Sequence, residues 1–210
     1  VIAIHSYRGG TGKSNLTANL ATVLALQGHR VGIMDTDLQS PGIHTLFDLD
    51  GHRWDKTLND YLWNRCPIQD AACDVSEAAG TIPQGQVFLI PASTDPDDIA
   101  RILTEGYNVG LLNEGGRQFI KHCYLDYLFI DTHPGLSQET FLSIAMSNRL
   151  ILLLRPDRQD FQGTAVLLDL AKQLRVPSIQ LVLNKVLDSL DFADLKTQVE
   201  NTYGVPVAAM

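Results

Sequence analysis

The chain has 210 residues, 45% of them hydrophobic and 19% charged, a composition typical of a water-soluble domain long enough to bury one sizeable core. Its formal net charge of −8 argues against a broadly basic, nucleic-acid-binding surface, although it leaves room for a local basic patch. Three cysteines without a C-x-x-C pair, no signal-peptide pattern and no apolar run near the roughly 18 residues of a membrane span predict a cytoplasmic location.

Apolar runs alternate along the chain with segments of helical periodicity. Predicted strands cover 1–5, 30–35, 87–91, 127–131, 150–155, 179–184 and 205–208, and predicted helices include 13–27 and 160–175. In the less regular region 42–85 we expect a short helix that packs onto the core through Trp54, Leu58, Tyr61, Leu62 and Trp63. The alternation predicts an α/β fold with a doubly wound, mostly parallel sheet flanked by helices on both faces. We expect one domain over 1–210 and, because the last residues form an apolar run, a natural chain that continues beyond Met210.

The first predicted strand leads into a glycine-rich loop, Tyr7-Arg8-Gly9-Gly10-Thr11-Gly12-Lys13-Ser14, which a helix follows. Glycines let the backbone turn its N–H groups inward, and the dipole of the helix adds positive charge, so the loop suits a polyphosphate. The spacing predicts that Lys13 reaches the β- and γ-phosphates and that the Ser14 hydroxyl holds Mg²⁺. The expected nucleotide contacts are Gly9, Gly10, Thr11, Gly12, Lys13, Ser14 and Asn15. A glycine is standard at the position of Tyr7, and a simple strand-to-helix turn is the alternative interpretation.

Polar residues at the ends of three predicted strands are further candidates, because ligands of open α/β sheets bind beyond the carboxyl ends of the strands. Asp35 ends the second strand, Asp131 the fourth and Asn184 the sixth. Asp131 is expected to hold Mg²⁺ through water, with Ser14 and Asp35 as the other metal-site residues, and Asp35 is also expected to position the attacking water. The N–H of Gly135, in the turn after Asp131, is a candidate sensor of the γ-phosphate.

Together these blocks resemble the ParA/MinD family of deviant Walker ATPases, which position cargo or partition DNA. Residues 8–14 are similar to the deviant Walker A loop, 35–37 to the Walker A′ segment, 131–135 to Walker B and switch II, and 35–42 to a second switch-like loop. The resemblance covers nearly the whole chain and implies a P-loop NTPase that binds ATP or ADP with Mg²⁺ and hydrolyses ATP slowly. It also implies an ATP-dependent homodimer, an activating adaptor protein and nonspecific DNA or a membrane as a surface. The family reads adenine at the position of Asn184. DNA, the division machinery and protein organelles such as carboxysomes all stay open as cargo.

The chain departs from the family at Arg8. The family places a second lysine there, and in the ATP-bound dimer that lysine reaches the partner's phosphates. Arginine keeps the charge and offers a planar fork, so Arg8 joins Lys13 and Asp35 in the predicted catalytic set. Arg155 and Arg158 are candidate substitutes, with surface salt bridges as an equal alternative for both.

Other polar residues have simpler interpretations. His133 could sense phosphate or assist proton transfer, but local hydrogen bonding is favoured for it. Asp37 is a candidate for a water or switch contact, or for capping the next loop. The acidic stretch 95–98 is interpreted as a helix start rather than a metal cluster. No ligand spacing is found among the remaining histidines, His5, His29, His44, His52 and His122.

Two other function classes use related loops. In a small-molecule kinase or amidoligase, Asp35, Asp37 and His133 would face a substrate, whereas a nucleotide-bound scaffold would barely hydrolyse ATP. Family members that carry iron–sulfur clusters are disfavoured, because no paired cysteines are present to bridge a cluster.

Overall fold

The computed structural model describes residues 1–49, 54–80 and 84–210. Within these ranges the strands are β1 (Ile2–His5), β2 (Arg30–Asp35), β3 (Cys73–Asp74), β4 (Gln86–Ile90), β5 (Tyr127–Asp131), β6 (Arg149–Leu154), β7 (Ser178–Leu183) and β8 (Val207–Ala209). The α-helices are α1 (Lys13–Leu26), α2 (Leu58–Leu62), α3 (Pro96–Glu105), α4 (Gly110–Cys123), α5 (Gln138–Ala145), α6 (Arg158–Gln173) and α7 (Phe192–Tyr203). Two 3₁₀ helices cover Ile43–Phe47 and Ile68–Ala71.

The strands form one sheet in the order β3-β4-β2-β5-β1-β6-β7-β8. Every described pairing is parallel except that of β3 with β4. The predicted doubly wound, mostly parallel α/β sheet is therefore confirmed, and each of the seven predicted strands lies within two residues of an observed one. The prediction missed β3, whose two residues are too few to produce a hydrophobic pattern.

Side chains near the helix starts explain where several helices begin. Asp95 accepts a hydrogen bond from the N–H of Asp97, and Pro96 opens α3, so the interpretation of 95–98 as a helix start is confirmed. Thr57 forms a capping box with Asp60 at the start of α2, the short helix expected in this region. Asp157 caps α6 by accepting from two backbone N–H groups.

Both faces of the sheet are buried. Ile33 and Met34 are adjacent on β2 and fully buried, yet they belong to different apolar clusters. Ile33 packs in the cluster that includes Ala21 of α1, and Met34 packs in the cluster that includes Phe119 of α4. This two-sided burial fixes the central strands, and with them the carboxyl ends of β1, β2 and β5 at one edge.

No helix in the described ranges combines the length and apolarity needed to cross a membrane. The cytoplasmic location stays a prediction.

Candidate functional site

The glycine-rich loop between β1 and α1 has the backbone conformation that its glycines allow. Gly10 and Gly12 adopt left-handed conformations with φ of +72° and +104°. An ideal Cβ on Gly12 would lie 2.6 Å from Nδ2 of Asn184, so a side chain there would displace the amide of Asn184. Gly12 caps α1, whose first residue is Lys13. The loop thus places Lys13 at the N-terminus of a helix, where free backbone N–H groups favour binding of an anion.

Lys13 is 7% exposed and interacts electrostatically with three carboxylates. Burial lowers the pKa of its ammonium, whereas the charges of Asp131, Asp37 and Asp35 oppose that shift. A buried cation beside the N–H groups of a helix N-terminus is chemically suited to a negatively charged phosphate. Thr11 lies in the same loop, and its hydroxyl oxygen is buried without a hydrogen-bond partner among the described residues.

Asp35 and Asp131 are direct neighbours across β2 and β5. Burial raises the pKa of Asp131 to about 6, although the Ser14 hydroxyl and Lys13 act in the opposite direction. Burial and the charge of Asp131 raise the pKa of Asp35 well above its usual range. Oδ2 of Asp35 is buried and has no hydrogen-bond partner among the described residues. The two buried carboxyls have too few hydrogen-bond donors and positive charges around them to offset the loss of water. A hard cation bound between them would favour their ionised forms.

The structure thus brings together the predicted metal-site residues Ser14, Asp35 and Asp131. Within the described ranges, no three His, Cys, Asp or Glu side chains are grouped closely enough to hold a metal by themselves. The donor set fits Mg²⁺, which keeps several waters and takes further oxygens from phosphate. Thr17, one turn along α1, donates to Asp131 Oδ1 at 3.3 Å and was missed by the sequence analysis.

The two residues that follow β7 hold the backbone of the glycine-rich loop. Asn184 Nδ2 donates to the carbonyl of Thr11 at 2.8 Å, and Lys185 Nζ donates to the carbonyl of Gly10 at 2.8 Å. Adenine recognition by Asn184 stays a prediction, since these contacts hold the loop and involve no base. Lys185 was also missed, although an Asn-Lys pair at a strand end was a usable signal.

The candidate phosphate sensor Gly135 lies in a turn beside the loop. Its N–H donates to the carbonyl of Ser6 at 3.1 Å, and its φ is +91°. Gly135 is therefore next to the glycine-rich loop, as predicted, and its sensing role stays a prediction.

His133 is bonded across the site rather than locally. Its Nδ1 lies 2.7 Å from Oδ1 of Asp37, a residue 96 positions away in the sequence. The expectation of local hydrogen bonding for His133 is therefore wrong, because the switch-like segments meet in space. Asp37 makes both predicted kinds of contact, since Oδ1 also accepts from the N–H and hydroxyl of Ser40 in its own loop.

Arg8 contacts the start of α6 in its own chain. Its Nη1 lies 3.4 Å from Asp157 and its Nε 3.8 Å from Asp160. Arg155 bridges the same two carboxylates at 3.1 and 3.3 Å, which is the salt-bridge alternative for that residue. Arg158 is exposed at the first position of α6.

Tyr7 occupies the position where a glycine is standard. Its ring packs on Gly163 of α6, where an added Cβ would overlap it. The glycine at position 163 therefore leaves the space on α6 that the ring of Tyr7 fills.

Among the histidines without ligand spacing, His5 is fully buried at the end of β1. Its Nδ1 lies 2.6 Å from Oγ1 of Thr132, which itself donates to the carbonyl of Ile4 at 2.9 Å. Because that hydroxyl has one hydrogen, Nδ1 of His5 must be the donor. Burial, followed by the charge of Lys13, lowers the pKa of His5 to about 3. His44 packs edge-on against Trp54 with ring centroids 5.2 Å apart, and His52 lies outside the described residues.

Comparisons with known proteins agree with this geometry. A family model described as "AAA domain" matches residues 1–187. An uncharacterized ATP-binding protein of Methanocaldococcus jannaschii is 27% identical over 206 residues, which are 98% of this chain and 71% of that protein. The cytosolic Fe-S cluster assembly factor cfd1 of Emericella nidulans is 33% identical over 176 residues, with 73% of this chain and 50% of that protein covered. The chain thus spans about half the length of the Fe-S assembly factors it matches.

Solved structures share the fold. The septum site-determining protein MinD of Pyrococcus horikoshii, complexed with Mg-ADP, superposes with a TM-score of 0.81 at 22% identity, covering 100% of this chain and 79% of that one. A variant of McdA from Cyanothece, in complex with ATP, gives a TM-score of 0.76 at 17% identity, with 99% of this chain and 81% of that one covered.

Proposed function

Because the chain belongs to the AAA-domain family matched over residues 1–187, we propose that it is an ATP-hydrolysing molecular switch that uses Mg²⁺. The family match and the fold shared with MinD confirm the resemblance to the ParA/MinD ATPases predicted from the sequence. In this proposal, residues 1–210 act as one P-loop ATPase domain, ATP favours a homodimer, an adaptor protein stimulates turnover, and hydrolysis resets the switch. The dimer works on nonspecific DNA or a membrane surface.

One observation carries the proposal: the buried ammonium of Lys13 faces the adjacent carboxyls of Asp35 and Asp131 at the mouth of the glycine-rich loop. Burial disfavours each of these charges. A polyphosphate compensates the ammonium and a divalent cation compensates the two carboxyls, so the site suits both ligands together.

Each residue has a role in this proposal. Lys13 and the N–H groups of the loop stabilise charge on the β- and γ-phosphates, and Asn15 and Gly9 lie on the rim of the nucleotide site. Ser14 and Asp131 hold Mg²⁺, which neutralises phosphate charge when bound. Asp35 orients the attacking water, and the N–H of Gly135 leaves the carbonyl of Ser6 to contact the γ-phosphate.

We assign the cargo only by class, as an intracellular assembly that is positioned or partitioned. The septum site-determining protein among the structural neighbours supports this class. A second candidate is a nucleotide-dependent step of iron–sulfur cluster assembly, which the 31–35% identity to several assembly factors favours. Cys66, Cys73 and Cys123 belong to no group of three or more metal-binding side chains among the described residues, so any cluster in that case is treated as cargo.

Steady-state hydrolysis of ATP with Mg²⁺ tests the proposal. A switch should turn over slowly by itself and faster with nonspecific DNA, anionic vesicles or an adaptor protein. Turnover that needs a small-molecule acceptor would identify a kinase or amidoligase, and ATP binding without turnover would identify a scaffold. Transfer of a labelled cluster that depends on ATP would favour the second candidate.

A further inference from the structure

The two switch segments, 35–42 and 131–135, are joined by hydrogen bonds from the N–H and hydroxyl of Thr36 to the carbonyl of Asp131, both at 2.9 Å, and by a side-chain contact at Asp37. Oδ1 of Asp37 accepts from the N–H and the hydroxyl of Ser40, both at 3.0 Å, and from Nδ1 of His133 at 2.7 Å. Because a carboxylate oxygen only accepts, Nδ1 of His133 carries the hydrogen. The geometry of the first segment therefore depends on a side chain from the second.

Asp37 in turn holds Asp35. Its backbone N–H donates to Oδ1 of Asp35 at 3.0 Å. This hydrogen bond leaves Oδ2 of Asp35 buried and without a partner among the described residues. Asp37 and Gly42, both in segment 35–42, supply backbone N–H groups to the Asp35 carboxyl, so a shift of this segment would be passed to Asp35, the carboxylate assigned to the attacking water.

His133 is itself held in place. Its carbonyl accepts from the hydroxyl of Thr140 on α5 at 3.4 Å. The side chains of His133 and Asp37 are 27% and 15% exposed, so solvent competes little for their contact. A second His–Asp pair, His29 and Asp126, lies just before the starts of β2 and β5, away from the candidate site. Nδ1 of His29 is 3.6 Å from Oδ2 of Asp126, and the two side chains are 39% and 52% exposed.

We propose that His133 is a positioning residue for ATP hydrolysis, which holds Asp37 through its Nδ1–H and thereby keeps Asp35 in place. The role requires a hydrogen-bond donor at this position and no change of charge. It also adds a side-chain contact between the two switch segments, since His133 restrains the carboxylate that accepts from Ser40. This inference rests on the proposed ATPase function.

Two substitutions at position 133 distinguish the effect of losing the hydrogen-bond donor from the effect of losing the imidazole ring. His133→Ala removes the contact, whereas the amide of His133→Asn places an N–H near the position of Nδ1. For His133→Ala we expect kcat to fall at least about tenfold with KM for ATP changed by less than about threefold, since small displacements of positioned groups affect the chemical step. His133→Asn should recover most of the rate, and the matched control His29→Ala should behave as the wild type. Equal losses in both His133 variants, or an unchanged kcat in His133→Ala, would overturn the positioning role.

Hydrogen exchange of the nucleotide-free protein tests the contact without any hydrolysis. Peptides that cover 36–42 should exchange faster in His133→Ala, because the N–H of Ser40 loses a fixed acceptor, and should be unchanged in His133→Asn and His29→Ala. Unchanged exchange in His133→Ala would overturn the inference even if the protein hydrolyses ATP. If the wild type binds ATP without turnover, the proposed function fails, while the exchange result still decides whether His133 holds this segment.

Discussion

Removal of the Arg8 side chain should weaken ATP-dependent dimerisation while leaving ATP binding by the monomer nearly intact. The expectation follows if Arg8 crosses to the partner's phosphates, because the contacts it loses exist only across the interface. In the single chain, Arg8 instead contacts Asp157 and Asp160 at the start of α6. The strength of these contacts decides whether Arg8 is free to leave.

Both contacts are weak enough for Arg8 to exchange partners. Asp160 is buried, but it lies 3.8 Å from Nε of Arg8 and keeps the N–H and Nε of Arg155 as donors, at 2.9 and 3.3 Å, when Arg8 leaves. At 3.4 Å, with side chains 38% and 40% exposed, the ion pair with Asp157 should contribute no more than the roughly 0.2–1 kcal/mol of surface pairs. Hydrogen bonds to charged groups contribute about 1.5–3 kcal/mol each. Because each of the two subunits loses such a contact, we expect Arg8→Ala to weaken dimerisation by about 10²- to 10⁴-fold. Asp157→Asn, which keeps a capping side chain on α6, should strengthen it by up to about 30-fold, since the competing ion pair is removed in both subunits.

Light scattering with Mg²⁺ and a slowly hydrolysed ATP analogue measures dimerisation, and calorimetric titration at low protein concentration measures ATP binding by the monomer. Arg117→Ala, which removes an exposed arginine of α4, controls for the change in net charge. Equal dimerisation of Arg8→Ala and wild type would refute the trans role and transfer it to Arg155, Arg158 or neither. Loss of ATP binding by the monomer would instead place Arg8 in the nucleotide pocket of its own subunit.

Three further substitutions test the interior of the site. Lys13→Ala should abolish ATP binding in calorimetric titrations, since the phosphates lose the buried cation of the loop; wild-type affinity would mean that the phosphate-loop assignment is wrong. Asp35→Ala should keep ATP bound but slow its hydrolysis by about 10²-fold or more, which a fully active variant would contradict. His5→Asn tests pH dependence: the pKa of His5 is lowered to about 3, so its neutral form stabilises the fold above pH 6.5, and this contribution is lost as the pH falls toward 3. At pH 5 the loss is about 2 kcal/mol. Because asparagine keeps a donor for Thr132 and does not titrate, the urea midpoint of His5→Asn should fall less between pH 7 and pH 5 than that of wild type; parallel profiles would show that His5 is protonated without cost.

Local patterns were sufficient to predict most of the fold. The strand that ends at Asp35 and the strand that ends at Asp131 are continuous apolar runs, and such runs identify strands that are buried on both faces. The glycine spacing before Lys13 likewise reports a backbone conformation that few other residues adopt. These features depend on neighbours in the sequence, so they could be predicted without the structure.

Contacts between distant segments could not be predicted in this way. His5 has no partner near it in sequence, and only the pairing of β1 with β5 brings Thr132 against its ring. The packing of Tyr7 on Gly163 depends in the same way on the placement of α6. A histidine or glycine in such a position carries no periodic signal, since its partner is fixed by tertiary structure.

The contacts of Asn184 and Lys185 with the glycine-rich loop have a consequence for folding during synthesis. Asn184 and Lys185 contact the loop from 173 and 175 residues further along the chain. During synthesis the loop leaves the ribosome early, but the two side chains that fix its backbone arrive only with β7. A nascent chain that stops short of this strand therefore has the motif without its support, and nucleotide should stabilise the finished domain more than any shorter intermediate.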